Sequence, residues 1–179
     1  DIYSENQFMN LDFHTRRNLE LLETMRSKEK RGSLLWVLDK TKTAMGKRLI
    51  RAWIVQPLVS CAPIVKRQNA VEELVTDTVR RMELINALTG IFDMERLMTR
   101  IVYGTSNGRE LRSLASAVQK LPALKQQLEG TGASLLQEIY RGIDTLQDVY
   151  TLIDSAIVEE PPFSVREGGI IKKGYNAEL

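Results

Sequence analysis

The chain contains 179 residues with a formal net charge of +2, and 43% of them are hydrophobic, a composition that excludes disorder of the whole chain. Aromatic residues make up only 6% of the chain, which favours helices over sheets. The single cysteine excludes an internal disulfide, and one cysteine with one histidine cannot form a zinc-finger site. No apolar run approaches the roughly 18 residues needed to span a bilayer, and the polar N-terminus is not a signal peptide, so we expect a cytoplasmic protein without membrane contact.

The first 30 residues are the first of three predicted segments. Met9, Leu11 and Phe13 alternate with polar residues, a period of two that indicates a short strand or extended chain. We expect residues 1–30 to be extended, residues 33–160 to be helical, and residues 161–179 to form a strand and turn, with the extended pieces at the two ends lying side by side. Because the sequence lacks an initiator methionine, we also expect it to be cut from a longer polypeptide.

Two short helices are predicted after the front segment. Ser33 can cap the first helix, and Thr43 can cap the second, which Pro57 stops. The second helix carries one apolar stripe, formed by Leu49, Ile50, Trp53 and Ile54. We expect Trp36 and Trp53 to lie in one small region, with Trp53 buried in the core.

Positive charge is concentrated in the first third of the chain. Residues 1–60 carry 11 basic and 7 acidic side chains. Five of these cations follow one another without an intervening acid, at Lys40, Lys42, Lys47, Arg48 and Arg51. Such a cluster can attract phosphate groups, but a solvated helix face is the simpler interpretation. Binding of DNA by this chain should therefore be weak, nonspecific and salt-dependent.

Apolar steps of three and four predict further helices between residues 63 and 130. They should break or end at Thr76-Asp77, Gly104 and Gly130-Thr131-Gly132. Asn107 and Glu110 have the spacing of a capping box for one of these helices. Pro122 suits the first turn of the next helix.

The last helical stretch has the most regular pattern. Spacings of 4, 3, 4, 3 and 4 predict one seam that packs lengthwise against other helices, formed by Ile139, Ile143, Leu146, Tyr150, Ile153 and Ile157. Residues 129–160 contain seven acids and a single cation, Arg141, so we do not expect this stretch to contact DNA. Pro161-Pro162 should end it.

No catalytic, cofactor-binding or metal-binding residue is predicted. Residues 104–110 come nearest to a phosphate-binding loop, but they lack its spacing and its Lys-Ser/Thr pair, so a turn between helices explains them. Gly168-Gly169 beside Lys172-Lys173 is explained by a tight turn that requires a positive φ. We expect His14 at the surface or in a cap, and Cys61 as a small buried or loop residue.

Two acids and an arginine lie within one turn at Asp93, Glu95 and Arg96. Carboxylates two positions apart on a helix point in different directions, so shared acid and base catalysis is not expected. We expect Asp93 to cap a helix and Arg96 to form an ion pair.

Several longer blocks of residues stand in a distinctive order along nearly the whole chain. They are Phe8-Met9-Asn10-Leu11-Asp12, Thr15-Arg16-Arg17-Asn18-Leu19-Glu20-Leu21, Gly32-Ser33-Leu34-Leu35-Trp36-Val37-Leu38-Asp39, Thr43-Ala44-Met45-Gly46-Lys47-Arg48-Leu49, Ile91-Phe92-Asp93-Met94-Glu95-Arg96-Leu97 and Gly168-Gly169-Ile170-Ile171-Lys172-Lys173-Gly174-Tyr175-Asn176-Ala177-Glu178-Leu179. Together they resemble the MutS family of DNA mismatch repair proteins, of the bacterial type, at the first segment of the helical core or lever domain.

The resemblance implies an all-α, multi-helical core domain with short extended segments near both ends. It implies a non-catalytic structural role that links the mismatch-binding and clamp end of such a protein to its ATPase end. The family's ATPase motifs lie outside this segment, so no cofactor is expected in it, although ATP and Mg²⁺ are expected for the parent protein. The implied partners are mismatched double-stranded DNA through the parent protein, a second copy in a dimer, and other mismatch repair proteins.

The resemblance also implies that a returning segment completes the core, so Ile143, Leu146, Tyr150 and Ile153 should lack their normal cover. Coupling between two ends requires packed helices with two arrangements, and we expect the seam and the region of the two tryptophans to provide that packing. The alternative function is a free-standing all-α module whose exposed seam binds a partner helix.

Overall fold

The computed structural model describes residues 7–176, and its regular elements in that range are helices joined by turns and loops. Its α-helices are α1 (Phe13–Asn18), α2 (Leu34–Leu38), α3 (Ala44–Val55), α4 (Cys61–Thr76), α5 (Thr78–Leu88), α6 (Met94–Val102), α7 (Gly108–Val118), α8 (Leu121–Gln127), α9 (Ser134–Gly142) and α10 (Gln147–Ala156), followed by a 3₁₀ turn at Val165–Glu167. The prediction of an all-α fold is confirmed. Within the same residues, no helix is long and apolar enough to cross a membrane.

Local capping explains where several helices begin. Ser33 and Thr43 each accept a hydrogen bond from the backbone N–H three residues later, at 3.2 and 3.0 Å. Asn107 and Glu110 form the reciprocal capping box, with both hydrogen bonds at 3.0 Å. Each such cap satisfies donors that the first helical turn leaves open and typically stabilises by about 1 kcal/mol. The predicted caps of α2, α3 and α7 are therefore confirmed.

The front segment is extended only in part. The carboxylate of Asp12 accepts a hydrogen bond from the Thr15 N–H at 2.6 Å and starts α1, so the prediction of extended chain is wrong over Phe13–Asn18. Met9 is 49% exposed and Phe13 is 72% exposed, which shows that their alternation with polar residues does not mark a buried strand face. The cap that Asp12 forms at the start of α1 therefore decides the local structure, and the alternation of apolar and polar residues does not.

The extended pieces at the two ends pair with different neighbours. An isolated antiparallel bridge joins Phe8 to Leu58, just after α3, and another joins Ile157 to Ile171, just after α10. The second bridge is flanked by backbone hydrogen bonds of 3.0 and 2.8 Å. Among the described residues the two ends therefore do not lie side by side, and this expectation is wrong. Residues 1–6 and 177–179, which include the end of the last family-like block, lie outside the described residues.

Buried apolar side chains form three separate clusters rather than one. The front core contains Leu21, Leu35 and Ile54, with Leu11, Leu22 and Ile50 packed against it. The middle core, between α4, α5, α8 and α9, contains Ala70, Leu84, Leu128 and Leu136. The back core, mainly between α7 and α10, contains Leu114, Ala115, Val118, Ile153, Ala156 and Ile157. The relative positions of the three cores consequently depend on contacts made between them.

The predicted seam is broken between α9 and α10. The chain leaves the helix after Gly142, and Leu146 adopts a left-handed conformation with a φ of 48° before α10 begins. The carboxylate of Asp144 accepts a hydrogen bond from the Leu146 N–H at 2.9 Å, which stabilises this turn. The prediction of one continuous helical stretch is wrong, because residues in a four-residue turn can keep helical spacing without being helical.

The same break places the two halves of the seam in different cores. Ile143 packs against the middle core, while Ile153 is 7% exposed inside the back core. Leu146 and Tyr150 also pack against the back core. The expectation that these four residues lack cover is therefore wrong, and a binding seam for a partner helix loses its basis.

The two tryptophans lie outside the front core. Trp36 is 47% exposed and Trp53 is 38% exposed, whereas their neighbours Leu35 and Ile54 are buried. A helix directs adjacent residues roughly 100° apart, so burial of Leu35 and Ile54 turns both indole rings outward. The expected burial of Trp53 is wrong, although part of the predicted stripe of α3 does face the front core.

Candidate functional site

A charged cluster joins α3, beside the front core, to α6, which packs on the back core. The two terminal nitrogens of Arg48 donate to the two carboxylate oxygens of Asp93, each at 2.7 Å. The Nε of Arg48 also donates to Glu95 Oε2 at 3.0 Å. This bidentate geometry fixes direction as well as distance, so the guanidinium orients α3 relative to the start of α6.

Local structure explains why both carboxylates lie at this position. Asp93 is the N-cap residue of α6 and accepts a hydrogen bond from the Arg96 N–H at 3.3 Å. Glu95 lies in the first turn, where the positive end of the helix dipole favours an acid. The carboxylate of Asp93 therefore caps one helix and anchors the arginine of another.

The predicted roles of Asp93 and Arg96 are confirmed. Arg96 Nε lies 3.5 Å from Asp93 Oδ2, but its side chain is 80% exposed, so this ion pair adds little stability. Arg48 is the closer partner of Asp93, and its role was not predicted. Nothing in the local pattern relates residues that are 45 positions apart.

The opposite charges of Arg48 and Asp93 shift the pKa values of both side chains. The Arg48 guanidinium, which hydrogen-bonds to both carboxylate oxygens, lowers the pKa of Asp93 to about 2, and the backbone N–H of Arg96 acts in the same direction. Asp93 in turn raises the pKa of Arg48 above its usual value, with Glu95 as a second cause. The Arg48 side chain is 40% exposed, so this attraction is partly screened by solvent and salt.

A second contact joins the front core to α4. The guanidinium carbon of Arg67 lies 3.6 Å from the centroid of the Trp53 ring, in a cation–π arrangement. At an exposed site such a contact contributes about 0.5–1 kcal/mol. Trp53 therefore acts as a platform between α3 and α4 rather than as a core residue.

The five clustered cations have different roles in the structure. Arg48 belongs to the ion cluster, whereas the side chains of Lys40, Lys42, Lys47 and Arg51 are exposed and make no ion pair within residues 7–176. A solvated face fits the three lysines. Arg51 instead lines a concavity on the front core, described below.

The remaining positions considered in the sequence have structural explanations. Gly104, Gly168 and Gly169 have φ values of 66°, 70° and 69°, which confirms the predicted requirement for a positive φ at Gly168-Gly169. His14 is exposed, as expected, and meets the Phe13 ring edge-on. Cys61 is an exposed first residue of α4, so the expectation of a buried or loop residue is wrong.

Metal binding finds no support in the described part of the chain. Between residues 7 and 176, no group of three or more His, Cys, Asp or Glu side chains is placed to hold a metal ion. The hydrogen bonds between Arg48 and Asp93 instead connect two helices.

Comparisons with known proteins agree with this architecture. The family described as MutS domain III matches residues 14–178. The chain is 49% identical over 179 residues to a protein named DNA mismatch repair protein MutS from Alkaliphilus oremlandii, and 47% and 46% identical to proteins of that name from Clostridium novyi and Acetivibrio thermocellus. These comparisons cover 100% of this chain but only 20%, 20% and 21% of the three relatives, so the chain spans about a fifth of their length. The chain belongs to the MutS domain III family.

Proposed function

We propose that this domain is a non-catalytic structural core of a DNA mismatch repair protein, and that it links the mismatch-binding and clamp end to the ATPase end. The observation that carries the proposal is the bidentate ion pair between Arg48 and Asp93, which connects two separately packed cores. ATP and Mg²⁺ are assigned to other parts of the longer protein. Mismatched duplex DNA, a second copy of the chain and other repair proteins are the partners proposed for that longer protein.

The packed cores and the polar contacts that join them differ in strength. Coupling between distant sites requires elements that keep their shape and an interface that can adopt two arrangements. In this domain α7 packs on α10 in the back core, α5 on α8 and α4 on α9 in the middle core, and α2 on α3 in the front core, so each core has packed helices of its own. The pair of Arg48 and Asp93 is partly exposed and screened by solvent and salt, so it is weaker than a packed core and can break and re-form while the cores stay intact.

The test places substitutions of Arg48 in the longer protein. Arg48→Gln removes the bidentate ion pair, and Arg48→Lys retains the charge but loses the bidentate geometry. We expect basal ATPase activity to be unchanged, while the stimulation of that activity by mismatched duplex falls about fivefold or more in Arg48→Gln, the lower end of typical coupling energies. Arg48→Lys should give an intermediate value.

Arg96→Gln is the matched control, because it removes a neighbouring cation whose side chain is 80% exposed. It should leave the stimulation unchanged. If Arg48→Gln retains normal helicity and normal stimulation by mismatched duplex, the proposed linking role of this contact is wrong. Equal losses in both variants would indicate a general effect of charge instead.

A further inference from the structure

A basic concavity of about 430 Å³ opens on the front core and is separate from the ion cluster of Arg48. Among the described residues, four cations line it, namely Arg16, Arg17, Lys30 and Arg51, together with a single acid, Glu23. The cations come from three parts of the chain: α1, the loop before α2, and α3. The fold therefore collects charges that are spread over 36 positions of the sequence, from 16 to 51.

Two of the four cations are already engaged within the protein. Lys30 Nζ lies 2.6 Å from an Asp39 oxygen whose side chain is only 5% exposed, so that charge is compensated. Arg16 Nε donates to the Leu11 carbonyl at 2.8 Å, which fixes the guanidinium but leaves its two terminal nitrogens available. The engaged groups thus shape the concavity.

The other two cations have no partner in the part of the chain that the structure describes. Among the described residues, the side chains of Arg17 and Arg51 make no hydrogen bond or ion pair, and both are exposed. Together with the terminal nitrogens of Arg16, they give the concavity a surplus of positive charge over Glu23. Planar guanidinium groups are suited to phosphate oxygens, because they can donate two parallel hydrogen bonds.

An aromatic ring borders the same concavity. Phe13 lines it and is 72% exposed, so its ring is accessible from the concavity. The His14 ring meets it at 5.8 Å and 78°, an edge contact, so no other ring stacks on it in the described residues. A free aromatic face beside unpaired arginines is the combination that binds unpaired bases and their phosphates.

We propose that the basic concavity binds single-stranded nucleic acid without sequence preference, with phosphates on Arg17 and Arg51 and one base stacked on Phe13. A duplex offers the phosphates but keeps its bases stacked inside, and an acidic peptide offers no base at all. The single strand is therefore the occupant that uses both features of the concavity. This inference goes beyond the proposed linking function and does not depend on it.

The test measures fluorescence anisotropy of a labelled oligothymidylate of about 15 nucleotides, titrated with the chain at several salt concentrations. Arg17→Gln combined with Arg51→Gln removes two phosphate contacts. The slope of log affinity against log salt should become shallower by about 1.4, since each contact to a single strand contributes about 0.7. Lys42→Gln combined with Lys47→Gln is the matched control, with the same change of charge outside the concavity and no expected change of that slope.

Two further variants separate the base contact from charge alone. Phe13→Leu keeps an apolar side chain but removes the ring, and it should weaken binding of the single strand about fivefold or more while leaving binding of a duplex unchanged. Glu23→Gln removes the one acid that lines the concavity among residues 7–176 and should strengthen binding.

Several results would overturn the proposal. Equal losses in the arginine and lysine double variants would show that net charge, and not the concavity, holds the strand. Equal affinity for duplex and single strand, or an undiminished affinity of Phe13→Leu, would exclude stacking. Binding of polyglutamate as tightly as oligothymidylate would identify an acidic peptide as the occupant instead. Circular dichroism of each variant confirms that the fold is retained.

Discussion

The front core and the back core of this domain differ in how completely they bury their apolar side chains. In the back core, Val118 has no exposed surface and Ala115 is 2% exposed, and nine further apolar side chains pack around the buried cluster. The front core has three buried residues, and Trp36 and Leu49 beside it are 47% and 52% exposed. The back core is therefore the stable body of the domain, and the front core is the part whose position depends on other contacts.

Backbone hydrogen bonds partly compensate for the small front core. The N–H groups of Leu34 and Leu35 donate to the carbonyls of Glu20 and Leu21 at 3.0 and 2.9 Å, which ties α2 to the loop after α1. Such bonds add order but little net free energy, because water would satisfy the same groups in the unfolded chain. Local opening should therefore begin in the front core.

The largest expected effect comes from truncation in the back core. Leu114→Ala, at a residue that is 5% exposed, should lower the free energy of unfolding by about 3 kcal/mol because it leaves a cavity. Leu49→Ala is the control, since Leu49 is 52% exposed and its truncation should cost about 0.5 kcal/mol or less. Urea denaturation measures both values, and similar midpoints would contradict the assignment of the back core as the stable body.

Truncation in the front core should have a smaller and more local effect. Leu35→Ala should cost about 2 kcal/mol, because fewer neighbours surround Leu35 than surround Leu114. Hydrogen exchange should show lost protection at the amides of α2 and α3 while the amides of α7 keep theirs. Uniform loss of protection in all helices would show that the two cores unfold as one unit.

Removal of the tryptophan platform should have a moderate effect. Trp53→Ala should cost about 1 kcal/mol, well below the 3–5 kcal/mol typical of a buried large aromatic residue, because Trp53 is 38% exposed. A double-mutant cycle with Arg67→Ala should return a coupling of about 0.5–1 kcal/mol. A coupling of zero would mean that the ring and the guanidinium do not interact in solution.

The smallest effect is confined to acid pH and concerns Asp93. Its pKa is about 2 in the folded protein and near 3.8 when unpaired, so the stability that it contributes is present above pH 3.8 and is lost as the pH falls through about 2. Carbon NMR of the Asp93 carboxyl group should give the lowered pKa, and Arg48→Gln should raise it towards 3.8. An unchanged pKa in that variant would show that the front core is not held at α6 by this contact.

The sequence predicts features that depend on nearby residues and fails at contacts between distant ones. The caps at Ser33 and Asn107 could be predicted because a side chain bonds to a backbone group three positions away. The contact between Arg48 and Asp93 could not, since the relevant geometry arises only when two helices meet. Trp53 was misplaced for the same reason, because pattern alone does not show which edge of an apolar stripe faces the core.

The turn at Leu146 separates α9 from α10 and bends the chain between them. A left-handed conformation costs a residue other than glycine about 1–2 kcal/mol, yet the Leu146 side chain packs against the back core and offsets that cost. The sequence on both sides keeps the spacing of one straight helix, which over residues 134–156 would extend about 35 Å. The bend is therefore held by the packing of Leu146 on the back core together with the hydrogen bond that Asp144 accepts, and it places α9 on the middle core and α10 on the back core.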